Sequence, residues 1–330
     1  MSTTAAPSNK PLNRSLCAAK ATKQDEFYTQ LSDIEKELRH YTAYFKNKTV
    51  LCNCDDPTVS NFFHYFSHNF EKLKLKKLIT TCYKSAEMGL YLEYDGDKNG
   101  NRVPDPGEIG IYNFKGDGDF RSEESIERLR QAGIIVTNPP FSLFREYVDQ
   151  LVTYKKKFLI IGNHNAVTYK EIFQLIKENK IWMGYTHPVA FIVPDHYEMR
   201  AVRSWRDENG TNWRSLGNAC WFTNLDIEKR HDDLILYKTY SRKEYPKYDS
   251  YDAIEVARVA DIPMDFKGVM GVPITFLEKY NPDQFEIVDA NDMRRRKSVA
   301  IKAHGLIKDK DSAISGKPTY VRIPIRNKRV

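Results

Sequence analysis

The amino-acid sequence predicts an α/β protein in which a doubly wound, mostly parallel sheet is followed by a C-terminal module. Three observations lead to this fold class. Strand-length apolar runs alternate with stretches of helical periodicity over residues 31–178, which is typical of βαβ units. After Trp182 the rhythm changes to short strands separated by turns. Beyond Arg230 the chain is rich in Tyr, Lys, Arg and Asp, so we expect an irregular module there.

The first half of the chain supplies the first strands of the predicted sheet. Apolar residues recur at helical spacing over 31–45, which indicates a helix. Asp55-Asp56-Pro57 is expected to end a strand and to cap the next helix. The elements predicted up to residue 111 are a helix over 31–45, strands over 49–54 and 77–82, a helix carrying Val59, Phe62, Phe63 and Phe66, and a hairpin over 90–111 with its turn at Asn99-Gly100.

In the second half of the chain, predicted strands and helices continue to alternate up to residue 178, and short strands separated by turns follow. A Gly-Asp-rich segment at 116–120 leads into a helix and into the strand that ends at Thr137. The elements predicted from there on are helices over 122–131, 143–154 and 169–178, strands over 134–137, 157–161, 190–193 and 219–223, and a turn at Asn209-Gly210.

Length and composition bound the domain organisation. The chain has 330 residues, 41% of them hydrophobic, with a formal net charge of +7. This is enough for a catalytic domain with an added module. We expect a flexible basic arm over residues 1–24, a catalytic domain over 25–228 and a C-terminal module over 229–330. The basic excess mildly favours a polyanionic partner.

Cysteine usage and hydropathy indicate the compartment. Five cysteines, an odd number, argue against a disulfide framework and for a reducing environment. No apolar run is long enough to span a bilayer, and the N-terminus lacks the apolar region of a secretory signal. We therefore expect a cytoplasmic protein that does not bind membranes.

The most informative motif is Asn138-Pro139-Pro140-Phe141, directly after the apolar strand at 134–137. Asn138 offers a side-chain carbonyl and Pro139 a main-chain carbonyl, while Phe141 offers a flat face for stacking. Two acceptors beside an aromatic ring suit a planar group with an exocyclic NH2. Asn-Pro and Pro-Pro also form ordinary turns. The position at a strand's carboxyl end, where α/β sheets bind ligands, favours a catalytic role.

Two further segments could hold a cofactor. Asn53, Cys54, Asp55 and Asp56 follow the first strand of the α/β part, where a cationic sulfonium with an amino-acid tail would require carboxylates and a helix N-terminus. Asp119-Phe120 could hold an adenine ring by its amino group and by stacking. Each segment, taken alone, is also explained as an ordinary cap or turn.

Two patterns imitate metal sites. Cys52-x-Cys54 with His64-x3-His68 has the wrong cysteine spacing for a zinc knuckle. Asp95-x-Asp97-x-Asn99-Gly100 resembles the start of a calcium loop, but its twelfth position is Pro106. We therefore predict no metal site and interpret the second pattern as a hairpin turn.

A basic run near the C-terminus is a candidate DNA contact. The run is Arg294, Arg295, Arg296 and Lys297, and it is supported by Arg322, Arg326, Lys328 and Arg329. Charge runs are usually solvated faces. On a module that follows a base-modifying site, these residues become reasonable phosphate contacts.

Together these motifs resemble the EcoRI-type adenine-specific DNA methyltransferases. The resemblance covers about residues 25–285, most closely at 25–30, 52–57, 116–122, 137–147, 177–182, 191–194, 245–249 and 268–277. The segments 85–111 and 185–217 and the tail after Val288 differ from the family pattern, which leaves the exact recognition sequence open.

The resemblance implies a Rossmann-like methyltransferase fold that uses S-adenosylmethionine to methylate N6 of adenine in a short duplex DNA site. It implies a monomeric prokaryotic or phage-encoded enzyme that protects DNA from a cognate restriction endonuclease, with the C-terminal module recognising the target. Phe27, Tyr28 and Thr29 would wrap the methionine portion of the cofactor, residues 53–56 would form its first loop, and Asp119-Phe120 would hold its adenine. Asn138 to Phe141 would form the catalytic motif.

Two other functions remain open at the level of sequence. The same kind of motif can grip the side-chain amide of a protein glutamine, so a protein-methylating enzyme is one alternative; it predicts no large basic C-terminal module. A catalytically silent DNA-binding protein of the same fold is the other, and the intact motif at Asn138 argues against it.

Overall fold

The computed structural model describes residues 27–54, 56, 60–83, 88–101, 103–193, 197, 199, 203–289, 305–307 and 312–330. The predicted arm over 1–24 lies outside these residues. The strands are β1 Tyr28–Thr29, β2 Thr49–Asn53, β3 Lys77–Cys82, β4 Leu90–Tyr94, β5 Ile109–Asn113, β6 Ile134–Thr137, β7 Lys157–Asn163, β8 Trp182–Met183, β9 Ala190–Ile192, β10 Ser204–Arg206, β11 Asn212–Ser215, β12 Ala219–Thr223, β13 Ala253–Glu255, β14 Val269–Pro273, β15 Phe285–Ile287, β16 Ala313–Ile314, β17 Lys317–Pro318 and β18 Arg322–Asn327.

Helices separate the strands of the first 180 residues. They are α1 Leu31–Leu38, α2 Thr42–Phe45, α3 Asn61–His68, α4 Phe70–Leu73, α5 Glu123–Gln131, α6 Phe144–Thr153 and α7 Lys170–Lys177. Short 3-10 helices lie at Arg39–Tyr41, Phe141–Leu143, His164–Thr168, Glu228–Arg230, Val259–Asp261 and Ile274–Lys279. The helix predicted over 31–45 is present, but the 3-10 turn at Arg39–Tyr41 divides it into α1 and α2.

An eight-stranded sheet with the order β5-β4-β3-β2-β6-β7-β12-β8 forms the centre of the molecule. Its four central strands, β3, β2, β6 and β7, run parallel. The outer pairs are antiparallel on both sides. The prediction of a mostly parallel sheet is therefore wrong in this respect. The edges are built from the β4–β5 hairpin and from β12 and β8, which lack the crossover helices that parallel pairing requires.

The prediction that helices cover both faces of the sheet is confirmed. Neighbouring residues of the central strands point to opposite faces. Leu51 and Ile135 belong to one buried apolar cluster together with residues of α5, α6 and α7. Val50 and Ile134 belong to another, together with residues of α1 and α3. A sheet buried on both faces explains why its strands read as continuous apolar runs.

Three smaller sheets complete the described fold. One has the order β1-β9-β11-β10, a second the order β13-β14-β18-β15, and β16 pairs with β17. The second sheet lies within the predicted C-terminal module. Its residues Val272 and Ile325 are part of the same buried cluster as Leu51, so this sheet packs onto the core of the central sheet. The boundary between residues 228 and 229 stays a prediction.

The hairpin of strands β4 and β5 is present as predicted, but its connection runs from residue 95 to residue 108 and is far longer than the predicted Asn99-Gly100 turn. The turn at Asn209-Gly210 joins β10 to β11, and Gly210 has a φ of +82°. Among the described residues, no helix has the length and apolar character needed to cross a membrane.

Candidate active site

The candidate site lies at the carboxyl ends of the central parallel strands. Strand β2 pairs with β6 through Leu51 and Ile135 and with β3 through Asn53 and Thr81. Residues that follow β2 and β6 therefore emerge side by side. The Thr137 hydroxyl donates a hydrogen bond to the main-chain carbonyl of Asn53, which ties the two strand ends together. This is the edge at which α/β sheets bind ligands.

Asn138 is held in one orientation at the end of β6. Its side chain is 6% exposed, and Nδ2 donates a hydrogen bond to the Phe27 carbonyl at 2.5 Å. Because the nitrogen occupies that contact, Oδ1 faces the other way. Oδ1 is buried and accepts no hydrogen bond from the described residues. A buried acceptor left unpaired costs about 1–3 kcal/mol, which indicates that a donor on a ligand completes it.

The rest of the motif bends the chain away from the sheet. The Pro140 carbonyl accepts a hydrogen bond from the Leu143 N–H at 2.9 Å, which starts the 3-10 turn before α6. Phe141 is 8% exposed. Its ring lies 5.7 Å from the ring of Phe27 at an interplanar angle of 39°. Phe141 thus forms an aromatic wall with Phe27 directly beside Asn138.

The N-terminal segment reaches this wall from a distant part of the chain. Strand β1 pairs with β9, with Thr29 opposite Phe191, and the Asn61 amide donates to the Thr29 carbonyl at 2.7 Å. The Thr29 side chain is buried, and its hydroxyl has no hydrogen-bond partner among the described residues. The structure thus brings Phe27, Tyr28 and Thr29 to Asn138, 111 residues away from Phe27.

The segment after β2 forms the second part of the site. Cys54 has a φ of +81°, so the chain turns sharply as the strand ends, and the Cys54 N–H donates to the Thr81 carbonyl at 3.1 Å. Asp56 is half-buried, and Asp55 lies outside the described residues. The prediction that Asp55-Asp56-Pro57 caps the next helix is wrong, because Ser60 is the N-cap of α3 and accepts from the Phe62 N–H.

Asp119 and Phe120 reach the same edge because a glycine allows a close approach. Gly118 has a φ of +78°, and a Cβ there would clash with the Cys82 carbonyl at the end of β3. The Asp119 carboxylate forms an ion pair with Arg121 at 2.6 Å. That carboxylate, through its hydrogen bond to the guanidinium, raises the pKa of Arg121. Phe120 is 8% exposed and faces inwards.

Tyr147 joins the two predicted cofactor segments and was missed by the sequence analysis. Its ring packs edge-on against Phe120 with 5.1 Å between centroids, and its hydroxyl donates a hydrogen bond to Asn53 Oδ1. Complete burial raises the pKa of Tyr147, so it is a neutral donor. The helical periodicity of 143–154 places Tyr147 on a buried face, but no sequence pattern indicates its partner.

The C-terminal basic residues that were predicted to contact DNA are not all placed by the structure. Arg294, Arg295, Arg296 and Lys297 lie outside the described residues. Arg322 is 9% exposed and forms an ion pair with Glu255 at 2.6 Å. The suggestion that Arg322 contacts phosphate is therefore wrong, because its charge is already compensated inside the protein. Within the described part of the chain, no three or more His, Cys, Asp or Glu side chains are placed as metal ligands.

Comparison with known proteins agrees with the motifs. The family model described as "Adenine-specific methyltransferase EcoRI" matches residues 15–328. The chain is 51% identical to Type II methyltransferase M.EcoRI of Escherichia coli over 96% of this chain and 98% of that relative. It is 40% identical to Type II methyltransferase M.MgeORF184P of Mycoplasma genitalium over 94% and 98% of the two chains. It is 37% identical to Type II methyltransferase M.MpnI of Mycoplasma pneumoniae over 94% and 97%.

No solved structure matches the chain significantly. The family match and the 51% identity extend over nearly the whole chain, including the strand ends that carry Asn53 and Asn138. The resemblance predicted from the motifs is confirmed. The chain belongs to the EcoRI family of adenine-specific methyltransferases.

Proposed function

We propose that the protein transfers a methyl group from S-adenosylmethionine to N6 of adenine in a short duplex DNA site. The observation that carries this proposal is the side chain of Asn138. Its Oδ1 is a buried acceptor with no partner among the described residues, and it lies beside the aromatic wall of Phe27 and Phe141. An exocyclic NH2 on a flat base supplies both the missing donor and the ring to be stacked.

The residues around the site suit S-adenosylmethionine. Thr29 offers a buried hydroxyl without a partner among the described residues, Asp56 offers a carboxylate after β2, and Asp119-Phe120 lies at the end of β3. We assign Phe27, Tyr28 and Thr29 to the methionine portion, residues 53–56 to the first loop and Asp119 with Phe120 to the adenine. When bound, the cofactor supplies a methyl group on a positively charged sulfur, which needs no metal for activation.

The target adenine must leave the duplex to reach this pocket. A base stacked in DNA cannot enter an enclosed site, and enzymes that modify bases flip them out. Phe141 then stacks on the flipped ring. Asn138 Oδ1 and the Pro139 carbonyl accept hydrogen bonds from N6 and direct its lone pair towards the methyl donor. The protein aligns the base with the methyl donor and stabilises the developing charge, through groups whose positions are fixed before the reaction.

The partners follow from this reaction. We propose a monomer that acts on DNA in the cytoplasm and protects it from a cognate restriction endonuclease. Residues 229–330 would recognise the target, and Arg294 to Lys297 would contact its phosphates. The net charge of +7 supports a polyanionic substrate, since phosphate contacts supply most of the non-specific affinity for DNA.

The test uses purified protein, S-adenosylmethionine and unmethylated plasmid DNA, which is then digested to nucleosides for mass spectrometry. We expect N6-methyladenine, and mapping the modified positions gives the recognition sequence. An Asn138→Ala variant is the negative control. DNA that is bound but carries no methylated base would overturn the proposed reaction. Transfer to a glutamine peptide instead of DNA would identify a protein-methylating enzyme.

A further inference from the structure

The connection between β4 and β5 carries oxygen-bearing residues at the spacing of a calcium loop. The pattern that begins at Asp95 fails because its twelfth position is Pro106. Counting from Asp97 instead, two residues later, places an oxygen-bearing side chain at each of the five side-chain ligand positions. Positions 1, 3, 5, 9 and 12 are Asp97, Asn99, Asn101, Asp105 and Glu108. These are the side-chain positions of the twelve-residue EF-hand loop, which also uses the main-chain carbonyl of position 7.

This spacing is specific. With ordinary amino-acid composition, Asp first, Glu last and Asp or Asn at the three positions between them should occur by chance in fewer than about one chain of this length in a few hundred. Two features depart from the EF-hand. The sixth position, usually glycine, is Arg102, which lies outside the described residues, and the loop is flanked by strands. Gly100, at position 4, has a φ of +80° and supplies the turn.

The described loop already gathers these side chains. The Asp105 carboxylate accepts hydrogen bonds from the Asn99 amide at 2.5 Å and from the Asn101 amide at 2.8 Å. Glu108 Oε1 accepts from the Lys98 N–H at 2.6 Å and from the Asn99 N–H at 3.2 Å. Positions 3, 5, 9 and 12 are therefore linked to one another. The carboxylates of Asp97, Asp105 and Glu108 are not placed as a ready metal site in this structure, so binding an ion would draw them together. In this arrangement the two amides present nitrogen to Asp105, and their oxygens accept from the main-chain N–H groups of Asn101 and Val103 at 2.9 and 2.8 Å. Each amide would have to give up that contact and rotate by a half-turn to present oxygen to an ion.

The carboxylate of Glu108 is buried in the loop and lies among main-chain donors. Glu108 is 9% exposed, and among the described residues no Lys, Arg or His forms an ion pair with Glu108 or Asp105. Lys77, on the neighbouring strand β3, pairs with Glu93 and Asp95, outside the twelve residues. A buried carboxylate normally has a cationic partner or a metal ion. The Glu108 carboxylate accepts from the N–H groups of Lys98, Asn99 and Asp105, and a cation in the loop would compensate its charge.

The pKa of a neighbouring tyrosine is affected by the same negative charge. Burial, assisted by the carboxylates of Glu71, Glu108, Asp97 and Asp105, raises the pKa of Tyr94 to about 12. The hydroxyl of Tyr94 therefore stays neutral beside the loop. A divalent cation bound there would offset the negative field that these carboxylates produce.

We propose that residues 97–108 bind one Ca²⁺ ion. The ligands are the side chains of Asp97, Asn99, Asn101, Asp105 and Glu108, and the Val103 main-chain carbonyl. An all-oxygen set of this number suits Ca²⁺ better than Zn²⁺, which prefers nitrogen and sulfur, or Mg²⁺, which requires a small octahedral site and retains water. The prediction of no metal site is revised by this proposal.

The ion stabilises the hairpin and takes no part in methyl transfer. The loop lies at one end of β4, and Gly89, which packs against Gly118, lies at the other. The five residues of β4 separate these ends by roughly 17 Å. Ca²⁺ would thus fix the outer edge of the sheet. This inference does not depend on the proposed reaction, and its test does not use activity.

The experiment is calorimetric titration of CaCl2 into full-length protein that has been freed of metal with a chelator. We expect one site, with a Kd between about 0.1 µM and 1 mM, and a rise in Tm at saturating Ca²⁺. MgCl2 should bind more weakly. Asp97→Asn, Asp105→Asn and Glu108→Gln should each weaken Ca²⁺ binding by more than about tenfold.

The matched control is Asp95→Asn, which removes a carboxylate from the same loop but outside the twelve-residue spacing. We expect its Ca²⁺ affinity to stay within about twofold of the parent protein, because only the pattern from Asp97 supplies ligands. Should Glu108→Gln fail to fold, the half-buried Asp105 provides the decisive variant. Absence of binding at about 10 mM CaCl2, or an equal loss in Asp95→Asn and Asp105→Asn, overturns the proposal.

Discussion

The side-chain amide of Asn138 donates a hydrogen bond to the main-chain carbonyl of Phe27 at 2.5 Å. This contact joins the catalytic motif to the segment that we assign to the methionine portion of the cofactor. It also fixes the orientation of the amide, because only nitrogen can donate to a carbonyl. Oδ1 is consequently directed away from Phe27 and stays available to the target amino group.

Replacing Asn138 by alanine should separate catalysis from DNA binding. Without Oδ1 the N6 lone pair is no longer directed, so we expect methyl transfer to fall by about 10²–10³-fold, the usual effect of removing one preorganised polar group. DNA affinity should change by only a few-fold. Single-turnover rates and gel-shift titrations measure the two quantities.

Asn163→Ala is the matched control, since Asn163 ends the neighbouring strand β7 and pairs with Asn218. It should leave methyl transfer within a few-fold of the parent. Parallel losses of binding and catalysis in Asn138→Ala would contradict the catalytic assignment.

Phe141→Ala should weaken the hold on the flipped adenine. Loss of base–aromatic stacking costs about 1–3 kcal/mol, so affinity for duplex DNA with a mismatched target adenine should fall about 5- to 150-fold. Phe141→Trp should retain most of the affinity. On a duplex with an abasic site at the target, the alanine variant and the parent should bind alike; a difference there would assign Phe141 a structural role.

Tyr147→Phe should weaken cofactor binding, although we assign Tyr147 no direct contact with the cofactor. It leaves Asn53 Oδ1 buried without its donor, which costs about 1–3 kcal/mol of stability, and it frees the Asn53 side chain at the first cofactor loop. We expect a lower Tm and an affinity for S-adenosylmethionine reduced by about fivefold or more, both accessible by calorimetry. The control Tyr154→Phe alters a half-buried tyrosine that follows the same helix. Unchanged cofactor affinity in Tyr147→Phe would exclude a positioning role.

Stability should depend on pH through His187. Its Nε2 lies 3.6 Å from Glu278 Oε1, and this carboxylate raises the pKa of His187 above its ordinary value of 6.5. A raised pKa stabilises the fold fully below about 6.5 and loses this contribution as pH rises through the folded-state value. His187→Gln should therefore destabilise the protein more at about pH 6 than at about pH 8.5.

The effect of His187→Gln should stay below about 1 kcal/mol, because both partners are partly exposed to solvent. Nearby His164 acts in the opposite sense, since burial lowers its pKa. Thermal melts at the two pH values measure the difference. In a Glu278→Gln background the pH dependence due to His187 should disappear, and its persistence there would assign it to another group.

Much of the fold was accessible from the sequence. Most of the helices and the parallel strands up to α7 follow from periodicities that burial imposes, and the bounds that were predicted agree to within a few residues. The helix α4 was not predicted, and no bounds were given for α3. The antiparallel edges were predicted only in part. The β4–β5 hairpin was predicted, but the antiparallel pairing of β4 with β3 and of β12 with β7 was not. A strand carries the same apolar pattern whether its neighbour runs parallel or antiparallel, so the pattern does not give its direction.

The residues of the candidate site were also predicted only in part. Asn138 and Phe141 were found because their motif directly follows a strand, and Asp119-Phe120 because a Gly-Asp turn precedes it. Tyr147 could not be found, because its role depends on contacts with Asn53, 94 residues away, and with Phe120. Arg322 was misassigned because sequence cannot show that its charge is buried against Glu255.

The sequence by itself determined the fold class, the family and the chemistry offered by each strand end, since these depend on local patterns and on residue types. Only the tertiary structure decided which of these groups meet. The free Oδ1 of Asn138 exists because the Phe27 carbonyl, 111 residues earlier, takes its nitrogen. Burial and long-range hydrogen bonding set the orientation and charge environment of a side chain, and neither is encoded in the residues next to it.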